Sequence, residues 1–136
     1  MPFAVIDTNV LVSYFVSKAE TPPVIVVRAM LEGRIVPVYN TYLLKEYRDV
    51  LSRDRFGLDP PIIDAVLDVI EVLGLGVEYY DPWIRLPDQK DAPVFDIALS
   101  TRDVESFLVT GNTKHFPGVD YVITPKQMAD LLQSTE

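Results

Sequence analysis

The chain has 136 residues, of which 49% are hydrophobic and 24% charged, and its mean hydropathy is +0.17. This apolar content excludes a disordered or fibrous chain, and the length predicts a single domain over residues 1–136, because two separate cores would each be too small. Twelve Lys and Arg against twenty Asp and Glu give a net charge of −8, which is the wrong sign for holding nucleic acid by bulk electrostatics.

Short β-branched runs alternate along the chain with longer segments of helical periodicity, a pattern typical of βα units around a parallel sheet. In chain order the pattern predicts strand 3–6, helices 9–17 and 22–33, strand 35–38, helices 41–53 and 60–73, strand 75–80, helix 92–104, strands 107–110 and 121–123, and helix 125–134. Pro37 lacks an amide donor, so the second strand is predicted to be edge-like or irregular. Thr124 and Gln127 have the spacing of a capping box for the last helix.

The residue inventory limits both location and chemistry. No apolar run is long enough to cross a bilayer, and the N-terminus contains Asp7 without a basic flank, so we expect neither a membrane partner nor a signal peptide, and a cytoplasmic location. There is no cysteine and one histidine, His115, which excludes disulfides, a thiolate nucleophile and zinc sites built from Cys and His. Any metal must therefore be bound by oxygen.

Polar residues follow two of the predicted strands directly, where ligands gather in parallel α/β sheets. Asp7, Thr8 and Asn9 come after the first strand, and Thr110 and Asn112 come after the fourth. If these strands are neighbours, the two polar groups share one edge of the sheet. The structural alternatives are a helix cap at Asp7 or Thr8 and an ordinary Gly-Asn turn after the fourth strand.

Two more carboxylates are candidates for the same edge. Asp91 lies at the start of the helix led in by Pro93, and its structural alternative is again a helix cap. Glu46 borders the apolar face of its helix and has no basic residue three or four positions away, which weakens the usual ion-pair explanation. By contrast, we predict a solvated helix face for the acidic stripe formed by Asp64, Asp68 and Glu71.

Three carboxylates brought together from separate segments would repel one another unless cations neutralise them. Mg²⁺ or Mn²⁺ are the natural partners of an all-oxygen ligand set formed by Asp7, Glu46 and Asp91. Such a set suits phosphoryl chemistry, in which the metal activates a water and stabilises the leaving oxygen. Asn112 would add a neutral ligand or orient water.

Four segments match a known family in order and spacing. They are VIDTNVLVS (5–13), TYLLKEYRDVL (41–51), KDAPVFDIALS (90–100) and FLVTGNTKHF (107–116). In these segments the chain resembles the PIN-domain nucleases, especially the VapC-like toxins of toxin–antitoxin systems. The resemblance implies a three-layer α/β/α fold with a central five-stranded parallel sheet, and metal-dependent endonucleolytic cleavage of single-stranded RNA that leaves a 5′-phosphate.

The resemblance also assigns roles to individual residues. Asp7, Glu46 and Asp91 match the first three acidic residues of the family, and Asp96 is a weaker candidate, predicted to share a helix face with Asp103. Asn112 stands where the family often has a fourth acid, which lowers the charge of the site. Thr8, Asn9 and Thr110 match polar positions that support the metal ligands.

Together these observations predict a Mg²⁺- or Mn²⁺-dependent ribonuclease, with a small antitoxin and a homodimer as further partners implied by the resemblance. Four basic residues near Glu46 are candidates for contact with RNA phosphates, with a solvated helix face as the alternative: Lys45, Arg48, Arg53 and Arg55. A PIN-like module that binds without cutting is the main rival. A phosphoacceptor receiver domain is the lesser one, because no apolar strand in residues 45–62 ends in aspartate.

Overall fold

The computed structural model describes residues 1–78 and 86–134. These residues form five strands: β1 (Phe3–Ile6), β2 (Val36–Tyr39), β3 (Leu75–Gly76), β4 (Phe107–Val109) and β5 (Val122–Ile123). Six α-helices accompany them in the described part of the chain: α1 (Thr8–Val16), α2 (Pro22–Leu31), α3 (Thr41–Leu51), α4 (Pro60–Leu73), α5 (Ala92–Leu99) and α6 (Pro125–Ser134).

All five strands are parallel and lie in the order β3-β2-β1-β4-β5, with helices on both faces of the sheet. In the central strand β1, the consecutive residues Ala4, Val5 and Ile6 are all buried. Successive strand residues point to opposite faces, so the core extends on both sides of the sheet, as the continuously apolar sequence of this strand predicts. The predicted α/β/α architecture is confirmed.

The position of β2 corrects the prediction made from Pro37. This strand lies between β3 and β1 and is therefore not an edge strand. Val36 donates its N–H to the Pro2 carbonyl (2.9 Å) on the β1 side, so the next residue, Pro37, has its nitrogen on the β3 side. Pairing with β3 begins only one residue later, at Val38 and Leu75, which is why a proline is tolerated inside the sheet.

The end of α5 corrects a second prediction. The helix predicted over 92–104 ends at Leu99. The Thr101 hydroxyl donates a hydrogen bond to the Ile97 carbonyl (2.7 Å), which the N–H of Thr101 would occupy if the helix continued. A separate 3-10 turn, Arg102–Val104, follows. Asp96 and Asp103 therefore do not share a helix face.

Other boundaries differ by one or two residues, and α4 and α6 span the predicted ranges. The capping box at α6 is formed: the Gln127 N–H donates to Thr124 Oγ1 (3.1 Å), and the Thr124 N–H donates to Gln127 Oε1 (2.8 Å). The third strand, predicted over 75–80, ends at Gly76, so residues 77 and 78 are not part of it, and residues 79 and 80 lie outside the described residues. No helix in the described ranges has the length and apolar character needed to cross a bilayer.

Candidate functional site

Asp7 lies where β1 ends and α1 begins. Its N–H still belongs to the sheet and donates to the Val109 carbonyl (2.9 Å), while its Oδ1 accepts the N–H of Thr8 (2.9 Å). The predicted strand-end position and the alternative helix cap are thus both present. A single cap bond occupies Oδ1 only, and Oδ2 points to other partners.

The second oxygen of Asp7 connects the two polar groups that follow β1 and β4. Oδ2 accepts hydrogen bonds from Thr110 Oγ1 (2.7 Å) and Asn9 Nδ2 (3.1 Å). Asn9 Oδ1 in turn accepts the N–H of Gly111 (3.1 Å), and Thr110 Oγ1 accepts the N–H of Asn112 (3.0 Å). These side chains meet because β4 is the direct neighbour of β1, and Thr110 is fully buried.

Glu46 reaches the same edge from α3. Tyr47, the next residue, is buried and donates its hydroxyl to the carbonyl of Ile6, which anchors α3 against the end of β1. Glu46 Oε2 accepts a hydrogen bond from the Thr8 hydroxyl. Glu46 has no basic residue three or four positions away, and its hydrogen-bond partner is instead Thr8, at the start of α1 and one residue after Asp7.

Asp91 ends a 3-10 turn, Gln89–Asp91, that leads into α5. It stands at the cap position of this helix but makes no side-chain cap bond, so the helix-cap alternative does not account for its carboxylate. Its Oδ2 is buried and has no hydrogen-bond partner among the described residues. The imidazole of His115 lies close by, with its Nδ1 3.7 Å from this oxygen.

Burial and mutual repulsion affect the two aspartates differently. Burial raises the pKa of Asp7, and the hydrogen bonds from Thr110, Thr8 and Asn9 lower it in part. Burial also raises the pKa of Asp91, and the negative charge of Asp7 raises it further. The carboxylates therefore interact electrostatically across the site, which is the arrangement that a cation would relieve.

The chemistry of these residues fits a hard divalent cation. The donors are carboxylate oxygens, and the buried Asp91 Oδ2 accepts no hydrogen bond from the described residues. Among residues 1–78 and 86–134, however, no three acidic or histidine side chains converge into a complete metal-binding group. The protein places the carboxylates at one edge of the sheet, and within the described residues they do not close into a cage.

Other predicted residues lie outside this arrangement. Asp96 is fully buried within α5, away from solvent. Asn112 is exposed and makes no side-chain cap bond to the turn that follows it. The acidic stripe on α4, Asp64, Asp68 and Glu71, is exposed, as predicted.

The basic residues near Glu46 mostly have partners within the protein. Lys45 pairs with Asp49 (2.7 Å), and Arg48 pairs with Asp64 (2.6 Å). Arg55 lies over the ring of Phe56, and Arg53 is exposed. This pattern favours the solvated-face alternative for Lys45 and Arg48.

Sequence reasoning missed His115, which the fold brings to the site beside Asp91, and the two lysines that neighbour this pair in the sequence. His115 faces Asp91, and Lys90 and Lys114 each stand immediately before one member of that pair. Both lysines are exposed, and neither has a carboxylate partner in the described part of the chain. Their adjacency to Asp91 and His115 in the sequence was the available signal.

Comparison with known proteins agrees with this architecture. A family model described as "PIN domain" matches residues 4–114, which include β1, α3, α5, β4 and the carboxylates of Asp7, Glu46 and Asp91, whereas His115 lies one residue beyond the match. No curated protein matches the chain. No solved structure matches it either. PIN domains are generally nucleases and act on nucleic acids. On this match and this fold, the chain belongs to the PIN domain family.

Proposed function

We propose that this protein is an endoribonuclease that cleaves single-stranded RNA with the help of Mg²⁺ or Mn²⁺. The observation that carries the proposal is the buried, unpartnered Oδ2 of Asp91 at an edge that also holds the carboxylates of Asp7 and Glu46. A buried charged oxygen without a partner is costly, and a bound cation is the partner that three carboxylates share.

Asp7, Glu46 and Asp91 would hold the cation. Bound there, it would supply an activated water and neutralise the charge of the scissile phosphate. Thr110 and Asn9 fix the direction of the Asp7 carboxylate, and Thr8 fixes that of Glu46. These hydrogen bonds orient the ligands before substrate arrives, as supporting residues do in metal sites generally.

Two other candidates have subordinate roles in the proposal. Asn112, exposed beside Thr110, offers a neutral oxygen that orients water rather than a fourth charge. Asp96 remains a weaker prediction, because its complete burial keeps it from direct contact with a solvated cation in this conformation.

The toxin assignment is a finer part of the same proposal. It rests on the resemblance of the four sequence segments to VapC-like toxins, together with family membership. It implies a small antitoxin encoded in a neighbouring reading frame and a homodimer. Growth arrest on expression of the chain alone, relieved by co-expression of that neighbour, is the expected result, and normal growth at comparable protein levels would contradict it.

The nuclease proposal is tested by incubating the purified protein with labelled single-stranded RNA in Mn²⁺, in Mg²⁺ and in chelator. We expect internal cleavage that requires the metal and leaves a 5′-phosphate. Purified Asp91→Asn, prepared in the same way, controls for contaminating nucleases. Equal cleavage by the variant, or no cleavage by the wild type with either metal, would refute the proposal.

A PIN-like binding module without catalysis is the second candidate. Asn112 in place of a carboxylate and the incomplete metal-binding group among the described residues favour it. Retained RNA binding without cleavage in either metal would support this module and exclude the nuclease.

A further inference from the structure

A groove lies beside the carboxylate site, between the 3-10 turn Thr113–His115 that follows β4 and the first turn of α6. Its volume is about 470 Å³, within the range of roughly 300–1,000 Å³ that is usual for small-molecule sites. Its lining combines polar and apolar groups: Thr113, Lys114, Pro117, Val119, Val122 and Gln127.

The groove and the candidate active site are linked by one turn of chain, Thr113–His115. His115 of this turn faces Asp91, at 3.7 Å, whereas the preceding residue, Lys114, lines the groove. Since adjacent Cα atoms are about 3.8 Å apart, Lys114 of the groove is the direct chain neighbour of the residue that faces Asp91.

The charges of the groove suit a phosphate. Lys114 is exposed and has no carboxylate partner among the described residues, unlike Lys45 and Arg48 on α3. In a protein of net charge −8, an unpaired cation beside the site is available to a polyanion, and the paired cations of α3 are already neutralised.

The remaining lining suits a nucleobase. Pro117, Val119 and Val122 provide an apolar wall for the face of a base, which in RNA recognition packs against apolar or aromatic side chains. Gln127 gives its Oε1 to the Thr124 N–H in the capping box, which leaves its NH₂ group as a donor with no protein acceptor in the described structure. An amide donor of this kind can meet the edge of a base.

We propose that this groove binds the nucleotide next to the scissile phosphate of a single-stranded RNA, with Lys114 contacting its backbone phosphate and the Gln127 amide contacting its base. The inference rests on the proposed RNA substrate and adds a subsite to it. In this proposal Lys114, and not the basic residues of α3, is the principal contact for RNA phosphate.

Two variants separate this subsite from general electrostatics. Lys114→Ala removes the phosphate contact from an exposed position. Gln127→Glu keeps the capping box, because Glu accepts the same backbone bond, but replaces the amide donor with a negative charge. Their matched controls are Lys18→Ala, an exposed lysine beyond the far end of α1, and Gln133→Glu near the other end of α6.

The probe is a fluorescein-labelled 12-nucleotide single-stranded RNA of mixed sequence, with binding followed by anisotropy in Ca²⁺ at several salt concentrations and RNA integrity checked on gels. For Lys114→Ala we expect about fivefold weaker binding at 0.1 M salt and a slope of log K against log salt that is smaller by about 0.7, the value for one lost phosphate contact. Gln127→Glu should weaken binding, and both controls should bind like wild type.

Binding by both groove variants that equals wild type would overturn the subsite and leave the groove to another ligand, such as a peptide. Equal losses in the controls would overturn it as well, because binding would then be non-specific. Cleavage is assayed separately with Mn²⁺: if wild-type protein binds RNA without cutting it, the nuclease proposal fails, while the variants still decide the subsite.

Discussion

The two aspartates at the carboxyl edge of the sheet are held in opposite ways. Asp7 accepts hydrogen bonds from Thr8, Asn9 and Thr110, and its backbone is part of the pairing between β1 and β4. Asp91 comes from a short turn before α5, and its Oδ2 is buried without a hydrogen bond in the described structure.

The two aspartates therefore differ in how firmly the carboxylate is oriented and in whether its oxygen already accepts a hydrogen bond. The hydrogen bonds to Asp7 stabilise its charged form against burial and fix its direction, so the carboxylate is oriented by the fold itself. At Asp91 the imidazole Nδ1 of His115 lies 3.7 Å from Oδ2, and neighbouring negative charges add to the effect of burial in raising the pKa of Asp91. A bound cation would therefore stabilise the charged form of Asp91 more than that of Asp7. Replacing Asp7 would disturb the orientation of the site more than replacing Asp91.

The largest expected effect is the loss of cleavage in Asp91→Asn. Removing a residue that supports a metal ligand costs about 10–100-fold in activity, so replacing a ligand itself should cost more than about a hundredfold. The fold should be retained, because the amide is nearly isosteric and no hydrogen bond to Oδ2 is lost. Initial rates on single-stranded RNA in Mn²⁺ measure this loss.

Asp96→Asn is the matched comparison within α5. Asp96 is completely buried, so its replacement should act on the melting temperature more than on the rate. If the Asp96 variant loses more activity per folded molecule than Asp91→Asn, the ranking of the two carboxylates is wrong.

The second expected effect concerns the orientation of Asp7. Thr110→Val removes the hydroxyl that donates to Asp7 Oδ2 without changing the shape of the side chain, and we expect a loss of activity of about 10–100-fold. Thr101→Val is the control, since Thr101 is equally buried but bonds Ile97 far from the site. Both variants should lose stability, by about 1 kcal/mol, because each removes the hydrogen bonds of a buried hydroxyl. Equal activity in the two variants would show that the Thr110 bond does not position Asp7.

The strands around Asp7 could be predicted because their sequence signals are local. An apolar run that ends in a polar residue identifies β1 and β4, and the parallel order places Asp7 near Thr110. Capping residues located α6 in the same way, since the partners Thr124 and Gln127 are only three positions apart.

The missed features depend on contacts across the fold. Thr8 reaches Glu46 and His115 reaches Asp91 only after α3 and the turn after β4 pack against the same edge. Pro37 was misjudged because its effect depends on where β3 begins, which the sequence of β2 does not contain. The assignment of Mg²⁺ or Mn²⁺ and of its ligands is a prediction.

The third expected effect is on stability without metal. In chelator at neutral pH and low salt, Asp91→Asn should melt higher than wild type, because one of the repelling charges is gone. Each ~1 kcal/mol of relieved repulsion corresponds to about 3 °C for a domain of this size. Asp7→Asn should gain less, because an amide has one acceptor oxygen and cannot accept the Thr8 N–H at one position and the hydrogen bonds of Thr110 and Asn9 at the other.

Adding Mn²⁺ should reverse this order. Metal that binds only the folded state stabilises it by about 2.7 kcal/mol at a hundredfold excess over Kd, and the variants should gain much less. Variants that are less stable than wild type by the same amount in both buffers would contradict the metal assignment, since loss of a helix cap does not depend on a divalent ion.

The smallest expected effect is the pH dependence of the advantage that Asp91→Asn has in chelator. Burial, and then the negative charge of Asp7, raises the pKa of Asp91 above its ordinary value of 3.8, so the folded state takes up a proton before the unfolded state does as the pH falls. Between these two pKa values the folded protein binds more protons, and its free energy of unfolding therefore decreases as pH rises. The cost of the charged carboxylate is fully present at neutral pH and is relieved as the pH falls through the raised pKa toward 3.8.

The Asp91→Asn variant has no carboxylate at this position to take up a proton, so its melting advantage should be largest near neutral pH and should shrink steadily on acidification. Thermal melts at a series of pH values check this trend, with Asp120→Asn, an exposed aspartate outside the site, as the control for losing one negative charge. An advantage that stays constant with pH would show that the substitution acts through packing rather than through the charge of Asp91.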